Sequence, residues 1–162
     1  MKESIFQETK ELKLWMLFTR TNYLIRKIRQ RELDENGLRL HSSAVIASIA
    51  KRGKKATIAT IQKETMLEAH TISEHLKRLE KQGLIRKIRS EYGRAIKRIE
   101  LTGEGEKAMS VISKGDIVKS IISELTDEEQ EQMGYFMDKL QSRAVKILGF
   151  EEMLNAPEDA EA

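Results

Sequence analysis

From 10 to 32 the chain has neither Gly nor Pro, and apolar side chains recur at Leu14, Trp15, Phe18, Ile25 and Ile28. That spacing predicts a helix of about 20 residues, some ~30 Å long. It stops at Asp34-Glu35-Asn36-Gly37, a turn closed by the glycine. A second helix is predicted over 40–51, ending at Arg52-Gly53, and a short third one after Thr57, a good N-cap, to Thr65. In the fourth, over 69–82, Ala69, Ile72, Leu76 and Leu79 fall on one narrow stripe. After Gly83 the pattern turns to two isoleucine-rich runs around Tyr92-Gly93, which reads as a β-hairpin. Thr102 can cap a helix reaching Leu125, and Thr126 with Glu129 forms a capping box that opens a last helix to Leu148. The tail 151–162, with the one proline and a run of acidic and small residues, is expected to be disordered.

Composition divides the same chain differently. Aromatic residues sit at the front (Phe6, Trp15, Phe18, Tyr23) and the back (Tyr135, Phe136, Phe150), with Tyr92 between. This places the bulky core at the two ends, packed together, and leaves the middle as a smaller module. Charge singles out that middle: residues 51–98 carry 14 basic and 5 acidic side chains, whereas 126–162 carry 3 and 10. Such segregation is the footprint of a polyanion-binding surface, or else a solvated surface whose charges happen to cluster.

Recognition chemistry concentrates in the fourth predicted helix. Opposite its apolar stripe stand His70, Glu74, Lys77, Arg78 and Lys81, with Thr71 and Ser73 on the flanks. A helix with one buried stripe, held by a short preceding helix across a tight turn, is the layout of a helix-turn-helix. The DNA major groove admits such a helix, and Lys or Arg can pair there with guanine and Glu with the cytosine amine. Base readers lie toward the start of the second helix of such a unit. His70, Thr71, Ser73, Glu74, Lys77 and Arg78 are therefore the candidate DNA-reading set. An ordinary solvated helix face would look the same in isolation, but the adjacent hairpin adds Arg86, Lys87, Arg89, Arg94, Lys97 and Arg98. Two neighbouring basic elements suit phosphate contacts along a duplex, and Arg94, beside the turn, is placed to enter a narrow minor groove.

From Gly37 to Thr102 the sequence resembles the winged helix-turn-helix of the MarR family of bacterial regulators. The stretch "RGKKATIATIQKETMLEAHTISEHLKRLEKQGLIRK" carries the likeness to the family pattern, in which a Thr starts the third helix, a Thr-Val-Thr-like core, here "TIS", opens the recognition helix, and "LE..GLI.R" leads into the wing. Glu74 stands where the family often has Arg, and the wing tip keeps only the last residue of the frequent Asp-Arg-Arg, as Arg94. The resemblance implies a mainly α fold with a small β-hairpin wing. Its divisions are an N-terminal dimerisation helix (1–36), the winged helix-turn-helix (37–102), C-terminal dimerisation helices (103–150) and the acidic tail. It further implies a homodimer on double-stranded DNA. Leu12, Trp15, Met16, Phe18, Ile117, Ile121, Phe136, Leu140, Ile147 and Leu148 could form the shared core, where composition alone leaves burial within one chain equally open. Relatives bind small aromatic or phenolic anions in a crevice between the dimerisation helices and the DNA-binding module, which makes Tyr23, Arg26, His41 and Ser42 candidate lining residues.

Other functions find little support. With no cysteine, disulfides, thiol nucleophiles, cysteine-built zinc sites and induction by thiol oxidation are excluded. His70 and His75 are five apart, not the three or four that shares a helix face, and no phosphate-loop or serine-elbow pattern occurs. The expectation is a non-enzyme without cofactor or metal. The longest apolar run, broken at Ser48, falls far short of the roughly 18 residues of a membrane span, and the first residues alternate charges where a signal peptide would be apolar. The reading is thus a cytoplasmic, nucleoid-associated, ligand-released repressor; the alternative is a sequence-indifferent architectural DNA-binding protein.

Overall fold

The computed structural model describes residues 9–89 and 96–156. A long helix, α1 (Lys10–Asp34), is followed by α2 (Leu40–Arg52), one 3-10 turn (Gly53–Lys55), α3 (Ile58–Thr65) and α4 (Ala69–Lys81). An antiparallel hairpin of β1 (Ile85–Arg89) and β2 (Ile96–Leu101) comes next, then α5 (Gly103–Lys114), α6 (Asp116–Ile122), α7 (Asp127–Leu148) and α8 (Glu151–Asn155). The expected helix starts hold. Thr9, Thr57, Thr102 and Thr126 each accept a backbone N–H in the first turn, and Thr57 and Thr126 close capping boxes with Thr60 and Glu129.

The core is aliphatic and belongs to the middle of the chain. Leu33 and Leu38 from the α1–α2 corner, Val45, Ile46 and Ile49 of α2, Ala56, Ile61 of α3, and Ile72, Leu76 and Leu79 of α4 are buried together with Ile85, Ile99 and Ala108. The expectation that the aromatic ends supply the bulky core is corrected here. Trp15 is 60% exposed and Phe136 55%, and α6, α7 and α8 hold no fully buried residue. The aromatic residues of α1 and α7, Trp15, Phe18, Tyr23, Tyr135 and Phe136, lie on faces those helices turn outward. Ala69, placed on the buried stripe of the fourth helix, is also exposed: it is the first helical residue, before α4 has closed on its neighbours.

Two boundaries differ from the sequence reading. The helix expected from Thr102 to Leu125 breaks at Gly115, whose φ of +53° ends α5 in the left-handed region that a glycine adopts without a side-chain clash. The end of α1 holds the break from both sides. An Arg29 N–H donates to the carbonyl of Ile112 at 2.6 Å, and the Glu32 carboxylate accepts from the backbone of Asp116 and Ile117 while pairing with Arg29. With the Arg29 hydrogen bond as the largest cause, the Glu32 carboxyl lies below the usual carboxylate range. The tail expected to be disordered over 151–162 begins instead with α8, whose last turn delivers the Ala156 carbonyl to Lys63 of α3. Residues 157–162 lie outside the described residues.

Candidate nucleic-acid interface

The turn between α3 and α4 is three residues long. Met66 takes φ +56° and its N–H closes on the Gln62 carbonyl at 2.8 Å, while Thr65 Oγ1 donates to the Ile61 carbonyl at 2.7 Å and accepts from Leu67 N–H at 3.3 Å. The chain is thereby turned back so that Ile72, Leu76 and Leu79 seal α4 onto α2, α3 and β1. The opposite face is left to solvent, where His70, Glu74, Lys77 and Arg78 are exposed. Thr71 and Ser73 are half-buried on the flanks; Ser73 Oγ donates to the Ala69 carbonyl at 2.9 Å, and Thr71 Oγ1 lies 3.2 Å from His70 Nε2. The candidate base-reading set is thus gathered on one surface, with an acid, Glu74, among its cations.

The hairpin leaves α4 through Gly83 at φ +72°, where Leu84 N–H returns to the Leu79 carbonyl at 3.0 Å. Arg86 pairs with Glu100 and Lys87 with Ile99, with a register shift between Ile88 and Arg89. Ile99 N–H donates to the Ala56 carbonyl at 2.8 Å, which ties the base of the hairpin to the loop before α3.

Not every basic residue of the hairpin is presented alike. Arg86 and Arg98 both bond Glu100, at 2.6 Å and 2.7 Å, and these hydrogen bonds, Arg98's first, draw the Glu100 carboxyl below its ordinary range. Lys87 donates to Glu80 of α4 at 2.7 Å with only 9% of its side chain exposed. Lys87, a candidate phosphate contact by sequence, is directed by β1 toward α4 and ties the hairpin to that helix through Glu80. Arg94 and the side chain of Lys97 lie outside the described residues, as does the turn at Tyr92-Gly93.

Of the candidate ligand-lining residues, three come together and one stands apart. An Arg26 guanidinium N–H donates to His41 Nε2 at 3.2 Å, and Ser42, 3% exposed, places Oγ 3.2 Å from Nδ1 of His75. The rings of His41 and His75 stack with centroids 6.1 Å apart and planes 23° from parallel. Burial, with Arg78 and His41 adding and Glu74 opposing, pushes the His75 imidazole below its usual range. Tyr23 is exposed, with Lys27 Nζ 5.8 Å above its ring. Sequence reasoning missed His75 because it weighed only the five-residue spacing to His70. The available signal was its place three residues after Ile72 and one before Leu76, which points the ring along the edge of the buried stripe.

Two clefts of about 300 Å³ lie elsewhere, one between α7 and α8 and one lined by Asn36, Leu38, Gln82, Leu84, Lys107 and Val111 among others; neither includes Tyr23, Arg26, His41 or Ser42. Among the described residues, no group of three His, Asp or Glu side chains could hold a metal ion, and no helix is long and apolar enough to cross a membrane.

A short helix, a tight left-handed turn, a second helix with one face anchored and one free, and a basic hairpin directly after it define a winged helix-turn-helix. The model of the MarR family matches residues 36–96, which span this module. Over 99% of both chains the fold matches that of the organohalide-sensing RdhR-CbdbA1625 transcriptional regulator, in its ligand-free and 2,4-dichlorophenol-bound forms, with a TM-score of 0.79 and 21% identity. MepR of S. aureus in its DNA complex matches over 85% of this chain and 97% of its own (TM-score 0.71, 21% identity). A mutant MarR from E. coli complexed with operator DNA matches over 85% and 99% (TM-score 0.73, 17% identity). Among curated proteins, none matches this chain.

Proposed function

We propose that the protein is a sequence-specific transcription regulator that binds double-stranded DNA as a homodimer, acting as a repressor at a near-palindromic operator and released by a small aromatic or phenolic ligand. The exposed face of α4 carries this reading. His70, Glu74, Lys77 and Arg78 stand free of the core on a helix whose other side is locked by Ile72, Leu76 and Leu79. These are side chains that pair with base edges in the major groove, and the fold is shared with MepR and MarR, each of which has been captured on DNA.

The outward apolar faces of α1 and α7 support pairing with a second copy. Trp15 and Phe18 stack on one, with ring centroids 6.1 Å apart, and Phe136, Leu140 and Ile147 line the other at 55–70% exposure. A two-fold pair would set two copies of α4 on half-sites about one turn, ~34 Å, apart. The ligand reading is supported by Arg26, His41 and Ser42 meeting where α1, α2 and α4 converge, and by the 2,4-dichlorophenol held by a protein of the same fold. Release follows if the ligand prefers a spacing of the two lobes that does not fit DNA.

Footprinting on the DNA upstream of the protein's own gene, at physiological salt, tests the reading; absence of a protected palindrome defeats it. Lys77→Ala and Glu74→Ala should each change base preference by about 1–3 kcal/mol at one position. Arg89→Ala and Arg94→Ala should weaken binding and reduce the salt slope by about one per contact, whereas Lys87→Ala leaves that slope unchanged. Competition by unrelated duplex to within a few-fold of the best site would favour an architectural protein instead.

A further inference from the structure

Two hydrogen bonds, Arg26 to His41 and Ser42 to His75, are joined by the stacked rings of His41 and His75, so that three helices meet; His75 belongs to the helix that presents the candidate base readers. An arginine N–H can only donate, so Nε2 of His41 must be the acceptor, which sets the proton of that ring on Nδ1. Ser42, almost wholly buried, has one ring nitrogen within reach, Nδ1 of His75. With that nitrogen unprotonated, the serine hydroxyl donates to it and α4 is pinned to α2. Protonation reverses that bond, with the serine oxygen now accepting, and places a positive charge against the surroundings of the ring. Those are Arg78 and Glu74 on α4, His41 on α2, and Arg26 on α1 behind His41. Two cations and a stacked imidazole against one exposed carboxylate leave the charged ring poorly accommodated.

We propose that this cluster is an acid-sensitive latch: proton uptake at His75 loosens α4 from α2 and lowers affinity for operator DNA. The second half rests on the DNA-binding reading above; the first does not. Undocked, His75 regains solvent and takes up a proton more readily than when docked, so the docked arrangement is favoured above the ordinary imidazole range and loses ground as pH falls through it. Each proton taken up on release costs at most about tenfold in affinity per pH unit below ~6.5.

Two measurements on the full chain decide it. In the absence of DNA, amide hydrogen exchange along α4, corrected for the intrinsic pH dependence, should show protection falling between pH 7.5 and 5.5 in the wild type. In His75→Asn, which keeps a neutral hydrogen-bonding group opposite Ser42, the fall should be largely abolished; His75→Gln serves as the second variant if the first does not fold. Operator Kd at fixed salt should rise between the same pH values several-fold more in the wild type than in His75→Asn. His70, present in both proteins, cancels in that comparison. Equal pH dependence of α4 protection in wild type and variant overturns the latch. Failure to bind any operator at pH 7.5 overturns the DNA-binding reading and the coupling to affinity, while the exchange data still decide the latch itself.

Discussion

Gly105 lies in the first turn of α5, where the helix crosses the base of the hairpin, and a methyl group there is expected to be costly. A Cβ built on its backbone falls 2.0 Å from the Leu84 carbonyl oxygen, 3.1 Å from its carbon and 3.2 Å from Leu101 Cβ, whereas ordinary contact begins at 3.4 Å. The start of α5 and the hairpin must therefore part by more than an ångström. That carbonyl already accepts Thr102 N–H at 3.0 Å, and Thr102 Oγ1 donates to the Gly83 carbonyl at 2.6 Å; both bonds stretch when the elements part. Overpacking costs about 1–3 kcal/mol and each weakened hydrogen bond about 0.5–1.5 kcal/mol, while the higher helix propensity of alanine returns about 1 kcal/mol. The net loss for Gly105→Ala is about 1–5 kcal/mol, or roughly 2–20 °C in Tm for a chain of this size. Urea and thermal unfolding followed by circular dichroism measure it, at matched protein concentration because self-association makes Tm concentration-dependent. A variant as stable as the wild type, or about 1 kcal/mol more so, would show that propensity governs the site and refute the close approach.

Two further outcomes probe the ends of the chain. Leu140→Lys and Trp15→Lys alter side chains that are 62% and 60% exposed in the single chain, so they should leave helix content unchanged but convert a dimer to a monomer in sedimentation equilibrium; a dimer in both variants would place the interface elsewhere. Glu32→Gln should lower stability by about 1–2 kcal/mol near neutral pH by weakening the clamp on the break between α5 and α6. Because the folded carboxyl lies below its ordinary 4.5, that stability is complete above this value and is lost as pH falls through it toward the folded value. The difference between wild type and variant in urea midpoint should therefore shrink on acidification from about pH 6 to 3, and a constant difference would assign Glu32 a role independent of its charge.

What the amino-acid order determined by itself was local and periodic. Thr57, Thr102 and Thr126 are capping residues whose partners lie three positions away, and the stripe of Ile72, Leu76 and Leu79 repeats with the turn of the helix, so these helix starts and the buried face of α4 were legible before any contact was known. The family resemblance was legible for the same reason, since it rests on ungapped local spacing from 37 to 102. Tertiary structure alone decided which charges are engaged and which faces are covered. Arg29 and Glu32 secure a helix break some 80 residues away, Lys87 turns inward to Glu80, and Glu100 gathers two arginines from opposite strands and its own. His75 is joined to Ser42 across 33 positions of chain. Hydrophobic periodicity records only that a face avoids water and cannot say what covers it, so the aromatic stripes of α1 and α7 read as core while the core of the single chain lies elsewhere. Ion pairs and hydrogen bonds act over a few ångströms in space irrespective of separation in sequence, which is why composition placed the positive charge in the middle of the chain but only the fold sorted struts from exposed cations.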